Sequence, residues 1–561
     1  MASYLKSAIH ELYSEGDDFI VLGLTGRTGS GCSTLASILT SDKSDIKHSL
    51  FSGEFPQNNE ERKQRIILKN FNNKWKKFKL IQVRSLITLL ISLSDIPSNI
   101  NKIIRHYKIS ESDFVKIQEI LKEISKEYHK NIKINKKKSM THEEGESIID
   151  FYNNKLPSKC NELRKLLGES NFVKLYQFVG KNLRMSGQVF NRTKKPKNIF
   201  KIAKTINNTI KLIRKADKNL NQDTLIVIDA IRNPLEALFF QERYSSFYLV
   251  AVSCPDFQRK ERLRNNGFSD SDIVSIDKKE YKNRDVDSAT AYSIQDIQSC
   301  LQRADVYINN PNEQNKVEEF KNLANQAIRF TTLMKRPGII TPTAIERCMQ
   351  LAYTAKLNSG CISRQVGAAV TDSNFSIRAI GWNDAPYGQV PCNLRTRFDL
   401  INGSDVIAYS EFEKKDESFI SHMKISSTKF VELNKDMNIP YCFKSEYNSL
   451  KKDKNQVHTR SLHAEENAFL QISKYGGQGI ENGYLFTTAS PCELCSKKAY
   501  QLGIKKIYYI DPYPGIAIDH ILNGGCNNPE LMLFTGAIGK AFHRLYMPVT
   551  AYKDELSALT K

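Results

Sequence analysis

The chain contains no run of about 18 apolar residues, so no membrane span is expected. Its opening stretch, MASYLKSAIHELYSEGDD, lacks the apolar core of a secretory signal, and a cytoplasmic protein is the expectation. Paired cysteines are nearly absent: eleven are scattered, and only Cys492 and Cys495 stand at C-x-x-C spacing. That argues against a disulfide framework and for reduced thiols. Acidic residues are in deficit, 61 against 82 lysines and arginines, for a formal charge of +21. Two readings of that charge stand side by side. One is a polyanionic partner, nucleotide, RNA or DNA; the other is a solvated lysine-rich surface reflecting a biased genome. No segment of the first half repeats in the second. One lysine is also missing. The stretch Gly26–Thr34, GRTGSGCST, fits the phosphate-loop pattern G-x-x-x-x-G-K-[ST] except that Cys32 stands at the lysine position.

At about 150 residues per domain, 561 residues make two to four domains. "FIVLGLTG" (Phe19–Gly26) reads as a buried parallel strand and "STLASILT" as the helix after the glycine loop. Gly26, Gly29 and Gly31 let backbone N–H groups face an anion at a helix N-terminus. Ser33 or Thr34 is placed to touch a metal. "DTLIVIDAIRNP" (Asp223–Pro234) carries a second strand to Asp229, which suits a Walker-B-like carboxylate or, equally, a helix cap. Arg27 or Arg232 offers a weak substitute for the missing cation. Further strands are expected within 247–253 and 304–310. The fold class is therefore α/β: a P-loop nucleotide-kinase-like parallel-sheet domain over residues 1–335, with a helical, lysine-rich insertion at about 55–215. Without the lysine, transfer of an outer phosphoryl group loses charge stabilisation. The expectation is a regulatory site for a nucleoside triphosphate with Mg²⁺, with little or no kinase activity.

"KRPG" (Lys335–Gly338) marks the boundary, and a second domain follows over 336–561. Its first helix is expected within Ile340–Gly360, capped by Thr341 with Pro342 in the first turn. The polar segment from Asn393 to Gln456 reads as a long loop, of the kind that often forms a lid. Cys392, Cys442 and His458 are open to two readings, a second zinc site or unpaired residues.

"HAEENAF" (His463–Phe469) and "SPCELCSKKAY" (Ser490–Tyr500) together form H-x-E…P-C-x-x-C, the signature of zinc deaminases. His463 offers an imidazole nitrogen; Cys492 and Cys495 offer thiolates. Each group is expected to open a helix, and the i, i+3 spacing puts both sulfurs on one side of a first turn. Helix N-termini lower the cost of the thiolate. Three protein ligands leave a fourth position for water, as catalytic zinc requires. Glu465 reaches the same cavity without binding metal and is the candidate proton shuttle. A closed structural zinc is the other reading.

The surrounding residues resemble the deoxycytidylate deaminase family. "AKLNSGCISRQVGAAVTD" (Ala355–Asp372), "AIGWNDAPYG" (Ala379–Gly388), "TTASPCELC" (Thr487–Cys495) and "IKKIYYIDPYPG" (Ile504–Gly515) carry the likeness. It implies a cytidine-deaminase-like α/β/α domain, with Asn383 on the sugar hydroxyl and Tyr513 near the base or ribose. Arg364 is implied at the phosphate or, equally, in a surface salt bridge. A phosphate-loop front joined to such a back resembles the bacterial anti-phage cytidine deaminases of the AvcD or DcdV type. That likeness implies zinc-dependent deamination of free dCTP or dCMP, which depletes the pool during infection. It also implies an inhibitory small RNA and a homo-oligomer. Cytosine deamination on single-stranded DNA or RNA is the competing function, since the zinc motif is shared.

Overall fold

The run Phe19–Thr25 forms β1, buried along almost its whole length, as a strand covered on both faces requires. The structure, a computed structural model, describes residues 7–9, 11, 13, 18–94, 110–135, 140–191, 193–280, 292–312, 320–476, 479–511 and 517–560. The chain divides into two compact units, Met1–Thr341 with Thr535–Lys561, and Pro342–Phe534.

In the first unit β1 leads through the glycine loop into α1 (Cys32–Thr40). β2 (Lys79–Gln82) runs into α2 (Val83–Ser92). The helices α3 (Glu111–Asn135), α4 (Leu156–Leu167), α5 (Glu169–Ser186) and α6 (Lys201–Asn219) follow. Then come β3 (Thr224–Asp229), β4 (Phe247–Ser253), α7 (Asp256–Asn265), α8 (Asp270–Glu280), β5 (Val306–Asn309) and α9 (Lys321–Lys335). β1 pairs parallel with β3 and β4, β2 with β3, and β4 with β5. Leu35 and Leu39 of α1 and Ile328 and Leu333 of α9 close one core around Ile20, Leu22 and Leu24.

One expectation about this unit changes. The insertion at 55–215 is not wholly helical, because β2 forms the edge of the sheet. Four residues, KLIQ, between lysines and a helix are too short to show period-two alternation. Within the insertion, the 25-residue helix α3 buries Ile117, Ile120, Leu121 and Ile124 at helical spacing.

The second unit begins with α10 (Ala344–Ala355). Its cap is Thr343 and not Thr341: the Thr343 hydroxyl accepts from Glu346 N, and the Glu346 carboxylate accepts from Thr343 N. β6 (Gly367–Thr371), β7 (Ile377–Trp382), α11 (Ala464–Tyr475), β8 (Tyr484–Ala489), α12 (Glu493–Gln501), β9 (Lys506–Asp511) and β10 (Glu530–Leu533) complete it. The sheet order is β10-β9-β8-β6-β7, with β6 antiparallel to both neighbours. A Cβ on Gly367 would lie 2.0 Å from Ala352 O, so α10 presses on one face. Ala368, on the opposite face, joins a core with Ala464, Ala468 and Ala499 of α11 and α12.

The segment expected as a loop over 393–456 is a helical subdomain with its own core of Leu400, Tyr409, Phe419, Met423 and Tyr441. Its short helices include Glu411–Lys415, Glu417–Ser427 and Phe443–Lys451. Fully buried Arg395 pairs with Glu413, and Tyr441 donates to the same carboxylate. The lysines that suggested a loop lie on the outside of these helices.

The chain end also departs from the expected division. β11 (Gly536–Ala537) pairs antiparallel with β5, and α13 (Gly539–Tyr546) buries Ala541 and Leu545 in the first unit's core. The second unit therefore stops at Phe534.

Candidate active site

His463 is the N-cap of α11 and Cys492 the N-cap of α12, with Cys495 in the first turn. The two helices start at the same end of the sheet. Gly381 permits this: a Cβ there would lie 2.3 Å from Ala464 O, so any side chain would push α11 off β7. Leu462 N donates to Asp384 O at 2.8 Å, and Ser490 N to Asp511 O at 2.9 Å, which fixes the path of the backbone just before each helix. Lys498 of α12 pairs with Glu466 of α11 and locks the helices together.

His463 Nδ1 lies 3.2 Å from Cys492 Sγ and 3.4 Å from Cys495 Sγ. Tetrahedral zinc with one nitrogen and two sulfur ligands needs separations of about 3.6 Å, so the donor set fits the ion. Among the described residues this is the one His/Cys/Asp/Glu cluster at metal-holding distances. Cys392, Cys442 and His458 do not form another; the His458 ring packs on Tyr447. The hydrogen bond from Cys495 brings the Cys492 thiol down to about 4, with help from His463. The same sharing pushes Cys495 up, as burial also does. The Cys492 hydrogen bond raises His463. A bound cation would take the place of the protons these three groups otherwise share.

Glu465 is buried beside them, and burial pushes its carboxyl upward. Its Oε1 lies 2.9 Å from Thr487 Oγ1 on β8. Thr487 opens the stretch TTASPCELC but carries no chemical signal of its own there, because its role depends on how β8 lies against α11. Asn383, at the end of β7, accepts from Val366 N at 2.6 Å and from Ser359 Oγ at 2.9 Å, and donates to Arg364 O at 2.7 Å. One Nδ2 proton remains beyond these bonds. Arg364 donates to the buried Asp511 carboxylate at 2.6 Å, the salt-bridge alternative. Tyr513 lies outside the described residues.

A second constellation sits in the first unit. Gly29 and Gly31 take left-handed φ values of 90° and 109°, and a Cβ on Gly31 would strike Asn310 Nδ2 at 2.0 Å. A Cβ on Gly26 would lie 2.4 Å from Val252 O. Ser33 Oγ donates to Asp229 Oδ2 at 2.8 Å, uniting two of the singled-out residues. Burial pushes the Cys32 thiol up to about 12, so it stays neutral where a lysine would be charged. Thr34 lines a cavity of about 740 Å³ with Gly29, Gly31, Ser33 and Asp229. Neither suggested substitute cation is available: Arg27 is paired with Asp256 and Asp277, and Arg232 with Glu280.

Comparison with known proteins bears on the second unit. The family described as the cytidine and deoxycytidylate deaminase zinc-binding region matches residues 342–511. A deoxycytidylate deaminase of Enterobacteria phage T2 is 32% identical over 167 residues, 29% of this chain and 78% of that protein. Its counterpart in phage T4 is 31% identical over 29% of this chain and 76% of its own length. Among solved structures, the apo dCMP deaminase of cyanophage S-TIM5 is 24% identical, with a TM-score of 0.21, over 35% of this chain and 100% of its own.

Proposed function

We propose, from the premise that the chain belongs to the cytidine and deoxycytidylate deaminase family, that it hydrolyses free deoxycytidine nucleotides, dCMP or dCTP, to the deoxyuridine nucleotide and ammonia. The observation that carries this reading is a buried carboxyl, Glu465, beside the His463, Cys492 and Cys495 donors. A zinc ion on those donors would supply water acidified from a pKa of about 15.7 to about 7. Glu465 takes a proton from the water, passes it to ring N3, and returns a proton to the departing amine. The water oxygen ends on C4 and the C4–N bond breaks. Thr487 holds the carboxyl in place for each transfer. The remaining Asn383 Nδ2 proton is available to a sugar hydroxyl. Arg364, neutralised by Asp511, braces the loop under Asn383.

The first unit is then a P-loop kinase-like regulatory domain, and the second the deaminase domain. Ser33, Thr34 and Asp229 would hold a nucleoside triphosphate with Mg²⁺, a reading supported by the Ser33–Asp229 hydrogen bond, while the neutral Cys32 speaks against phosphotransfer. Resemblance to the anti-phage deaminases supports a role in draining the deoxycytidine pool, as a homo-oligomer held inactive by a small RNA. Among the described residues no helix is long and apolar enough to cross a membrane.

The charge of +21 favours one competitor, deamination of cytosine in single-stranded nucleic acid. A panel of cytidine and deoxycytidine at each phosphorylation level, with cytosine-containing oligonucleotides and an ammonia readout, separates the two. Release from dCMP or dCTP is expected. Conversion confined to oligonucleotides would reverse the assignment.

A further inference from the structure

We infer that the charge lost at Cys32 is carried by Arg84 and Arg262, which grip the phosphates of a nucleoside polyphosphate in the first unit's cavity. This rests on the nucleotide reading of that unit and adds the residues that recognise the anion.

Six arginines line the cavity, and four are already discharged. Arg27 faces Asp256 and Asp277, Arg164 faces Glu169, Arg184 faces Glu236, and Arg232 faces Glu280. Glu280 is fully buried; it also accepts from Thr28 N through both oxygens, at 3.2 and 3.1 Å. Arg232 is thus held by an anion of the chain itself.

Arg84 and Arg262 differ. Arg84, in the first turn of α2, donates to Gln82 Oε1 at 3.3 Å and has no carboxylate partner among the described residues. Arg262, on α7, donates only to neutral oxygens, Asn312 Oδ1 and Asn310 O. Its Nη1 is buried with no hydrogen-bond partner among the described residues. A buried guanidinium nitrogen without an acceptor is costly unless a ligand supplies one. The two come from separate elements of the cavity lining, α2 and α7. Phosphate oxygens suit the planar guanidinium fork.

Size and chemistry limit the ligand. About 740 Å³ suits a nucleotide. Phe172 and Tyr176, stacked at 3.9 Å, supply an apolar aromatic wall for a base. Ser33 and Asp229, hydrogen-bonded to one another at the loop end, would hold a cation accompanying the phosphates.

The test is equilibrium binding of ATP, GTP and inorganic tripolyphosphate, with Mg²⁺, to the full chain. These probes carry no cytosine and are not substrates of the proposed reaction. Arg84→Gln and Arg262→Gln should each raise Kd at least about tenfold, with Arg→Lys at either position recovering part of the loss. Arg264→Gln, an exposed arginine paired with Asp270 and outside the cavity, should leave Kd unchanged. Unchanged melting temperatures verify that the variants fold. If the unaltered chain binds the probes and both Gln variants bind equally well, the arginine assignment fails and the nucleotide reading stands. If the unaltered chain binds none of the three at millimolar concentration, the nucleotide reading fails, and this assignment with it.

Discussion

Thr487 Oγ1 lies 2.9 Å from Glu465 Oε1 and 2.7 Å from Ala489 O, so a single hydroxyl proton faces two acceptors. The backbone carbonyl can only accept. The Thr487 hydroxyl donates to the Glu465 carboxylate and lies equally within reach of the Ala489 carbonyl, which ties the carboxyl to the end of β8. Burial pushes the carboxyl upward, and the Thr487 hydrogen bond pulls against it.

Glu465→Gln removes the shuttle and keeps the shape. Ammonia release should fall about 100- to 10,000-fold. Zinc content, measured by metal analysis, should match the unaltered chain. Undiminished turnover would end the assignment of Glu465.

Thr487→Val removes the hydroxyl without changing the volume much. The expected result is a drop in kcat of about tenfold with KM and bound zinc preserved. A loss confined to KM would mean that Thr487 serves substrate binding.

Gly381→Ala places a methyl against Ala464 O, and α11 must move with both His463 and Glu465. Overpacking of this kind costs about 1–3 kcal/mol. Zinc stoichiometry and melting temperature should both fall, although residue 381 touches neither metal donor nor shuttle.

Arg395→Met leaves Glu413 buried without its cation. Breaking such a pair costs about 3–5 kcal/mol, whereas removing both charges is often close to neutral. Limited proteolysis should cut within 393–456 faster in Arg395→Met, and the further change Glu413→Leu should reverse much of that.

Asp256, in the first unit, gives a pH test. Burial would raise its carboxyl, but Lys260, Arg27 and Arg259 bring it down to about 2. The folded value lies below the unfolded one, so the stabilisation is present at neutral pH and fades as pH falls from about 4 toward about 2. At 44% side-chain exposure the worth is about 1 kcal/mol. The melting temperatures of Asp256→Asn and the unaltered chain should differ at pH 7 and converge near pH 2.

The metal donors were legible because H-x-E and P-C-x-x-C encode local geometry: a cap, a first turn and a three-residue spacing. β1, β3 and β4 were legible because strands buried on both faces are continuous apolar runs. β2 was not, being four residues flanked by lysine. Thr487, Arg84 and Arg262 were equally silent, since each acquires its meaning from residues far along the chain. The same holds for Arg27 and Arg232, whose candidacy ended once their carboxylates came into view. The 393–456 subdomain hides in the sequence because its lysines cover short helices whose aromatic core is spread thinly along the chain.

The return of Gly536–Ala537 to β5 makes the deaminase unit a guest within an interrupted host. Its chain enters at Pro342 and leaves at Phe534, so the guest is one continuous stretch while the host is in two pieces. The host cannot be obtained by truncation at residue 341. Such a piece would bare the edge of β5 and forfeit Ala541 and Leu545 from its core, inviting strand-to-strand association. On the ribosome, the host's sheet stays unfinished until its guest has been made.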